Sequence, residues 1–296
     1  MPRRQPFTQL CLQMANLARP ISADLHVHTF HSDGDFTPSQ VVAYARLAGL
    51  RAIAITDHDT TVACAIAREA ASASPSRPLE IVDGVEISTE YEGREYHLLG
   101  YFLGKNREAL EARLAQIRLR RRERFHAYLA ELARNAATIP ADAVSRVEAV
   151  AESLGRRHLA GLLVDAQFVR TRHEAFRKYL EPFAPPTNHR VPIDEAIALI
   201  RGCGGVAALA HPPQDLTLER FAAFCKMGMT AIECAFPSAT RTWSDTLREW
   251  AKSHDLATTG GSDCHGAEPA SRRIGAFGIN SEKLERLRER CRSPNV

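Results

Sequence analysis

Two histidines separated by one residue begin the part of this 296-residue chain that can do chemistry. His26 and His28 lie in the segment D-L-H-V-H, and the two-residue period of a β-strand points both imidazoles to the same side. Two imidazoles on one side of a strand can share a metal ion. Half-buried strand histidines that bind no metal are the alternative, and the pair alone does not decide between the two interpretations.

Further histidines and carboxylates follow at the ends of predicted strands. The polar turn after His28 carries Asp33, with His31 as a less favoured ligand. The other candidate ligands are His58, Glu86, His97, His211, Asp263 and His265. In α/β sheets, active sites form at the carboxyl ends of strands, because the loops there can vary in sequence while the sheet fixes the positions where they begin. The pattern therefore predicts one shared site.

This set of ligands indicates more than one metal ion. Nine nitrogen and oxygen ligands exceed the coordination of a single ion, and a set without thiolates suits Mn²⁺, Fe²⁺ or Zn²⁺. We expect two or three divalent ions, with Mn²⁺ favoured. Glu86 or Asp263 is placed to bridge neighbouring ions, which multi-metal phosphatases hold about 3.5 to 4 Å apart. Asp263 is also the predicted catalytic residue, orienting an attacking hydroxide.

Several residues near these motifs receive structural interpretations. Asp57 and Asp59 flank His58 and are interpreted as acceptors that orient imidazoles, or as turn residues. Cys264 lies between two candidate ligands, but on an extended strand its side chain faces away from them, so we interpret it as a packing residue. Four histidines match no motif and are interpreted as surface residues: His126, His173, His189 and His254.

The elements that must position these residues alternate between strand and helix. Strands are predicted over 23–29, 51–56, 79–88, 96–102, 205–210, 230–235 and 257–262, and helices over 38–47, 61–73 and 193–200. This alternation is typical of βα units and a parallel sheet, and a turn around Glu92 and Gly93 joins the third and fourth strands. Between the fourth and fifth strands only helices are predicted, over 107–137, 141–154 and around 158–164 and 173–180.

These changes of pattern predict the domain organisation. Residues 1–20 form an N-terminal extension, residues 21–104 and 192–296 form one α/β domain, and residues 105–191 form a helical domain inserted into it. We find no signal-peptide core and no apolar run long enough to span a membrane in the sequence. We therefore expect no membrane association and no obligate protein partner.

Charge and cysteine content narrow the class of protein further. The 38 Lys and Arg nearly balance the 35 Asp and Glu, so the overall charge does not favour binding to nucleic acid or to a membrane surface. The seven cysteines are odd in number and never form a C-x-x-C pair, which argues against a disulfide framework and a structural zinc site. We expect a cytoplasmic protein in a reducing compartment.

The order of the motifs resembles a known family. D-L-H-V-H-T, S-D-G, T-D-H-D, G-V-E, H-L-L-G-Y, A-H-P and S-D-C-H-G occur in the order found in the polymerase and histidinol phosphatase (PHP) family, over about residues 21–279. The resemblance implies the α/β class, with a distorted, TIM-like (β/α)₇ barrel that carries the inserted helical domain. It also implies a trinuclear metal site with the nine residues above as ligands.

Within that family the insertion resembles one branch. The segment G-R-R-H-L-A at 155–160 and G-G-V-A at 204–207 are similar to 3′,5′-nucleotide bisphosphate phosphatases and a related 5′→3′ exoribonuclease. The resemblance implies a metal-dependent phosphoesterase for a small nucleotide or short RNA. The chain departs from the branch at Arg157, where a proline is common, and at Pro213 and Gln214, where the branch often has glycine and arginine.

Cations near these motifs are candidates for substrate contacts. Arg156, at a predicted helix start, can bind a second phosphate, and His158, Arg272 and Arg273 are further candidates. The alternative is solvated surface residues. A basic group in the first inserted helix either follows an RNA backbone or is a solvated helix face, and we favour the latter. Its members are Arg113, Arg118, Arg120, Arg121, Arg122 and Arg124.

Three other functions remain open from the sequence. A histidinol-phosphate-type phosphatase differs only in the organic group of the ester, and the large insertion favours a bigger or doubly charged substrate. A hydrolase of carbon–nitrogen bonds uses similar metals. A catalytically silent metal-binding module is a further alternative, although such silence usually follows loss of ligands and all nine positions here retain a competent residue type.

Overall fold

The computed structural model describes residues 21–74, 78–185 and 188–292, so the predicted N-terminal extension lies outside the described residues. The strands are β1 (Ala23–Val27), β2 (Ala52–Ile55), β3 (Glu80–Tyr91), β4 (Arg94–Tyr101), β5 (Val191–Pro192), β6 (Val206–Leu209), β7 (Ala231–Ala235) and β8 (Ala257–Gly260). The α-helices are α1 (Pro38–Leu47), α2 (Val62–Ser72), α3 (Glu108–Arg134), α4 (Ala141–Glu148), α5 (Arg156–Asp165), α6 (Arg172–Ala175), α7 (Ile193–Gly202), α8 (Leu218–Lys226), α9 (Arg241–Ser253) and α10 (Ser281–Arg292). A π-helical turn, Phe176–Leu180, continues α6.

The strands form one sheet in the order β1-β2-β3-β4-β6-β7-β8, with the short β5 beside β3. The sheet nearly closes on itself, because residues that follow β8 bond to β1. The amide of His28 donates to the carbonyl of Cys264 at 3.0 Å, and Ala23 and Ile279 exchange two main-chain hydrogen bonds. The predicted α/β barrel class with outer helices is confirmed.

β4 makes the barrel irregular, because it runs antiparallel to both of its neighbours, β3 and β6. The remaining consecutive pairs along the sheet are parallel. Glu92 and Gly93 both have positive φ values, 51° and 72°, as a two-residue hairpin turn requires. The expectation of a parallel sheet is therefore wrong for β4. Since β4 is reversed, its first half, which contains His97, lies beside the carboxyl ends of the parallel strands.

The inserted helices have a core of their own. Phe125, Tyr128 and Leu163 are buried in a cluster formed within residues 125–180. The first turns of α3 differ, because Leu110 and Leu114 belong to the cluster that packs around β6 and β7. Helix α3 thus joins both cores, and the domain boundaries predicted at 105 and 191 remain a prediction.

One predicted helix is too long. The helix expected over 141–154 ends at Glu148. The chain then leaves helical geometry, and the amide of Ser153 donates to the carbonyl of His31 at 3.0 Å. This hydrogen bond ties the inserted helices to the loop after β1. Among the described residues, none of the helices combines the length and apolar character that crossing a membrane requires.

Candidate metal centre

The fold brings all nine predicted ligands to one end of the barrel. In three groups of side chains, the possible ligand atoms lie within 4.8 Å of one another. The groups are His28, Asp33, His58 and His265; His26, His28 and Glu86; and His58, Glu86 and His97. Because the groups share His28, His58 and Glu86, they form one continuous cluster rather than separate sites.

Glu86 lies at the centre of this cluster. Its Oε2 is 3.1 to 3.3 Å from one ring nitrogen of each of His26, His28 and His58. Its Oε1 is 2.9 Å from Nδ1 of His97 and 3.0 Å from Nε2 of His211. A carboxylate shared by five imidazoles is suited to bridge metal ions.

Two further carboxylates complete the cluster. Oδ1 of Asp263 lies 3.5 Å from Nε2 of His26 and 3.4 Å from Nε2 of His28. Oδ1 of Asp33 lies 3.3 Å from Nε2 of His265. Asp33 and His265 come from the loops after β1 and β8, which the barrel closure brings together.

Buried polar atoms without hydrogen-bond partners show that the donor set fits metal ions. Nε2 of His26, both ring nitrogens of His28, Oδ1 of Asp33 and Nδ1 of His58 make no hydrogen bond. Burying unpaired polar atoms is costly unless another ligand satisfies them. Nitrogen and oxygen atoms converging at these distances are what divalent ions require.

Glu233 is a member of the site that the sequence analysis missed. This residue of β7 is fully buried, with Oε1 3.2 Å from Nδ1 of His26 and Oε2 accepting from the amide of His211 at 2.6 Å. A carboxylate on the far nitrogen of a ligating histidine fixes its tautomer and ring orientation. A glutamate within an otherwise apolar strand was the available signal.

Asp57 and Asp59 do not orient imidazoles as the first interpretation expected. Asp57 accepts from the amide and hydroxyl of Thr29 at 2.6 and 2.7 Å and from the hydroxyl of Ser32 at 2.6 Å, so it holds the loop after β1. Asp59 accepts from Nε of Arg121 at 2.6 Å and thereby holds α3. The imidazole-orienting interpretation is therefore wrong for both, whereas the alternative of a turn residue holds for Asp59, which has φ 52°.

The main chain that follows β8 passes very close to β1. A Cβ atom on Gly261 would lie 2.3 Å from the amide nitrogen of His26, so only glycine lets this segment meet β1. Asp263 has φ 49° and His211 has φ 26°, conformations that cost non-glycine residues about 1 to 3 kcal/mol each and concentrate at functional sites. Cys264 is buried as predicted, but β8 ends at Gly260, so Cys264 does not lie on the extended strand expected from the sequence.

The electrostatic environment couples the histidines to the carboxylates. Burial by itself would lower the pKa of His97, but the carboxylate of Glu86 outweighs it and raises the pKa to about 10. For His28, burial is likewise outweighed by Asp263 and Glu86, and the pKa rises to about 9. Although burial opposes ionisation, the surrounding histidines hold the pKa of Glu86 well below its usual range.

The four predicted substrate contacts lie in different surroundings. Nη1 of Arg272 donates to Oδ2 of Asp263 at 2.7 Å, whereas Arg273 is exposed and lines a separate cavity beside Phe36. The geometry thus does not support a shared substrate role for the adjacent pair, because the turn Ala270–Arg272 directs their side chains differently.

The other two candidates lie at the start of α5. Nδ1 of His158 accepts from the amide of Gly155 at 3.0 Å, and its partly buried ring also bonds to the main chain of Ser32, so it is engaged within the protein. The guanidinium of Arg156 lies 5.7 Å from the ring centre of Phe176.

A cleft connects the cluster to the inserted helices. Its volume is about 830 Å³, and it is lined by His265 and Arg272 on the barrel side and by Arg157, Arg172 and other residues on the insertion side. Volumes of about 300 to 1,000 Å³ are typical of small-molecule sites.

The basic group of α3 is partly internal, so its interpretation as a solvated face needs correction. Arg121 is only 8% exposed in an ion pair with Asp59, and Arg118 donates to the carbonyl of Asp59 at 2.9 Å. Arg113 pairs with Glu195.

His189 is also buried, although the sequence analysis interpreted it as a surface residue. It lies where the chain returns from the insertion, close to Arg121, and its burial lowers its pKa to about 2.

Comparison with known proteins agrees with this geometry. Residues 24–181 match the PHP domain family. A 3′,5′-nucleoside bisphosphate phosphatase of Chromobacterium violaceum is 33% identical over 259 residues, covering 85% of this chain and 90% of the relative. The 5′-3′ exoribonuclease Rnm of Escherichia coli K12 is 35% identical over 253 residues, covering 82% of this chain and 84% of the relative.

A solved structure supports the same class. The crystal structure of a proposed metal-dependent phosphoesterase from Bifidobacterium adolescentis superposes with a TM-score of 0.83 at 30% identity, covering 90% of this chain and 96% of the other. Fold and site therefore define a metal-dependent phosphoric ester hydrolase. The chain belongs to the PHP domain family, and the catalytically silent module is set aside.

Proposed function

We propose that this enzyme hydrolyses phosphate esters of nucleotides, with the 3′-phosphate of a nucleoside 3′,5′-bisphosphate as the leading substrate and the 5′→3′ trimming of short RNA as the second activity. The observation that supports the proposal most strongly is the cluster of nine candidate ligands at one end of the barrel, where His265 also lines a cleft of about 830 Å³. The similarity to a bisphosphate phosphatase and an exoribonuclease points the same way.

We propose Mn²⁺ as the resident ion, with Fe²⁺ and Zn²⁺ as the alternatives. The ligands would be His26, His28, Asp33, His58, Glu86, His97, His211, Asp263 and His265. Bound ions would neutralise the charge of the phosphoryl group and lower the pKa of water toward about 7. Phosphate monoesters hydrolyse extremely slowly in water, so both effects are needed.

The protein's own groups would orient the reaction. Hydrolysis forms one bond from a water oxygen to phosphorus and breaks the ester bond, and the ester oxygen leaves as an alcohol after taking a proton. Asp263 would orient the attacking water, since its neighbouring histidines keep its pKa lowered despite burial, and it therefore stays an acceptor. Arg272, bonded to that carboxylate, lies where it can contact the phosphoryl oxygens.

The cleft supports a substrate larger than a simple phosphomonoester. Arg172 and Arg170 line its insertion side, and Phe176 offers an aromatic surface. A nucleotide presents both a second phosphate and a flat base, whereas histidinol phosphate has one phosphate and a small ring. We accordingly rank histidinol phosphate below the nucleotides.

The test is Mn²⁺-supported phosphate release from adenosine 3′,5′-bisphosphate and histidinol phosphate, and nucleotide release from 5′-phosphorylated oligoribonucleotides, compared by kcat/KM. A His26→Ala, His28→Ala double variant is the control for contaminating phosphatases. Preference for the bisphosphate or the RNA that disappears in the control supports the proposal and ranks its two forms. Preference for histidinol phosphate, or no hydrolysis of any ester, contradicts it.

A further inference from the structure

Arg157 connects the inserted helices to two loops of the metal centre. It is the second residue of α5, and its side chain is only 19% exposed. Its Nε donates to the main-chain carbonyl of Asp33 at 2.8 Å, and its Nη2 lies 3.3 Å from the main-chain carbonyl of His265. One guanidinium therefore reaches two loops that are more than 200 residues apart in sequence.

A carboxylate and a second arginine hold this guanidinium in place. Nη2 of Arg157 also donates to Oδ2 of Asp35 at 3.0 Å, and the amide of Asp35 donates to the carbonyl of His265 at 2.7 Å. Arg172 of α6 binds both carboxylate oxygens of Asp35, at 2.9 and 2.7 Å. We call Asp35, Arg157 and Arg172 the rim triad.

We propose that Arg157 is a positioning residue for one part of the metal centre, the group formed by His28, Asp33, His58 and His265. The inference rests on the function proposed above. Asp33 and His265 supply two of the four ligands in that group, and their side chains approach to 3.3 Å. The guanidinium fork is planar and rigid, so bonds to both carbonyls fix the distance between the two loops.

The rim triad also explains how the insertion affects chemistry at the barrel. Metal affinity depends on outer groups that orient the ligands, and losing one such group typically costs about 10- to 100-fold in affinity. Here the orienting group acts on the main chain and comes from α5, not from the barrel.

The experiment measures metal binding without substrate. Wild type, Arg157→Ala, Arg157→Lys and Arg170→Ala are stripped with chelator, titrated with Mn²⁺ alone and followed by electron paramagnetic resonance of free Mn²⁺. We expect the weakest Mn²⁺ site of Arg157→Ala to lose about 10- to 100-fold in affinity. The Mn²⁺ affinity of Arg157→Lys should lie between those of wild type and Arg157→Ala, because a lysine ammonium keeps the charge but lacks the planar fork. Arg170→Ala, which removes an exposed cation from the same cleft, should keep the wild-type titration.

Steady-state kinetics separate positioning from substrate contact. If Arg157 positions ligands, excess Mn²⁺ restores kcat of Arg157→Ala, and KM for adenosine 3′,5′-bisphosphate at saturating Mn²⁺ stays at the wild-type value. A wild-type Mn²⁺ titration in both Arg157 variants overturns the inference, and a raised KM would then assign Arg157 to the substrate. If Arg157→Ala does not fold by circular dichroism, Arg157→Lys carries the test. A wild-type protein that binds no Mn²⁺ would contradict the proposed function itself.

Discussion

At the scale of single residues, the metal centre is built from buried groups whose charges depend on one another. His28 is fully buried and His97 is partly buried, and both lie beside the buried carboxylate of Glu86, where solvent screens charges little. Their pKa values are raised to about 9 and about 10. Near neutral pH the metal-free protein therefore holds protons on these nitrogens, and these protons must leave when a metal binds.

The first prediction concerns pH. Because the folded-state pKa values lie above the unfolded value of about 6.5, these protons stabilise the metal-free fold fully below pH 6.5 and progressively less as pH rises toward 9 and 10. Apparent Mn²⁺ affinity should change in the opposite direction and rise from pH 6.5 to 8.5. Calorimetric titration in two buffers of different ionisation enthalpy measures the protons released; zero release would contradict this account.

Glu233 supplies the second prediction. Glu233→Gln keeps the shape of the side chain but removes the negative charge beside Nδ1 of His26. We expect Mn²⁺ affinity to fall by about 10- to 100-fold, as is typical when the partner of a ligating histidine is lost. Glu219→Gln, on the exposed surface of α8, is the matched control. Equal Mn²⁺ affinity in the two variants would show that Glu233 does not tune His26.

At the scale of elements, the long helix α3 is fixed to the barrel by charge as well as by apolar packing. Nε of Arg121 donates to Asp59 at 2.6 Å, and its other nitrogens donate to the hydroxyl of Ser88 at 2.7 Å and to the carbonyl of Leu154 at 3.2 Å. A buried guanidinium with several acceptors is costly to disrupt, because each abandoned partner stays buried.

Arg121→Ala tests this anchor. Removing one partner of a buried ion pair typically costs about 3 to 5 kcal/mol, so we expect a loss of that size in the free energy of unfolding. Arg122→Ala, one residue along the same helix, removes an exposed side chain paired with Glu148 and should change stability by no more than about 0.5 kcal/mol. Urea denaturation of both variants measures the difference, and equal midpoints would refute the anchoring role.

At the scale of the whole molecule, the insertion and the barrel form the two sides of one cleft. The net formal charge is only +3, and several arginines of α3 are used within the protein. Attraction of an anionic substrate must therefore come from local groups such as Arg272, which lines the cleft.

We expect the charge of Arg272 in the cleft to affect substrate binding and the charge of Arg120 on α3 to leave it unchanged. Arg272→Ala should raise KM for adenosine 3′,5′-bisphosphate by about 10-fold or more, since a hydrogen bond to a charged group contributes about 1.5 to 3 kcal/mol. Arg120→Glu reverses an exposed charge on α3 and should leave both KM and the salt dependence of RNA trimming unchanged. A flatter salt dependence in Arg120→Glu would instead show that RNA follows α3.

Local patterns in the sequence were sufficient for the class of fold and for the candidate ligands. The alternation of strands and helices predicts the barrel, and strand geometry places His26 and His28 on one side. Each ligand motif is short, and carboxyl ends of parallel strands share one end of a barrel whatever the details of packing. The structure accordingly brings together the nine residues that the sequence singled out.

Contacts between distant segments were decided only by the tertiary structure. Glu233 beside His26, Arg121 beside Asp59 and Arg157 across two loops join residues separated by 207, 62 and at least 108 positions. Such pairs produce no periodic pattern in the sequence, because their spacing along the chain is set by the intervening elements and not by a helix or strand repeat. The candidate ligands were therefore visible in the sequence, whereas the groups that contact them and hold their loops became visible only once the chain was folded.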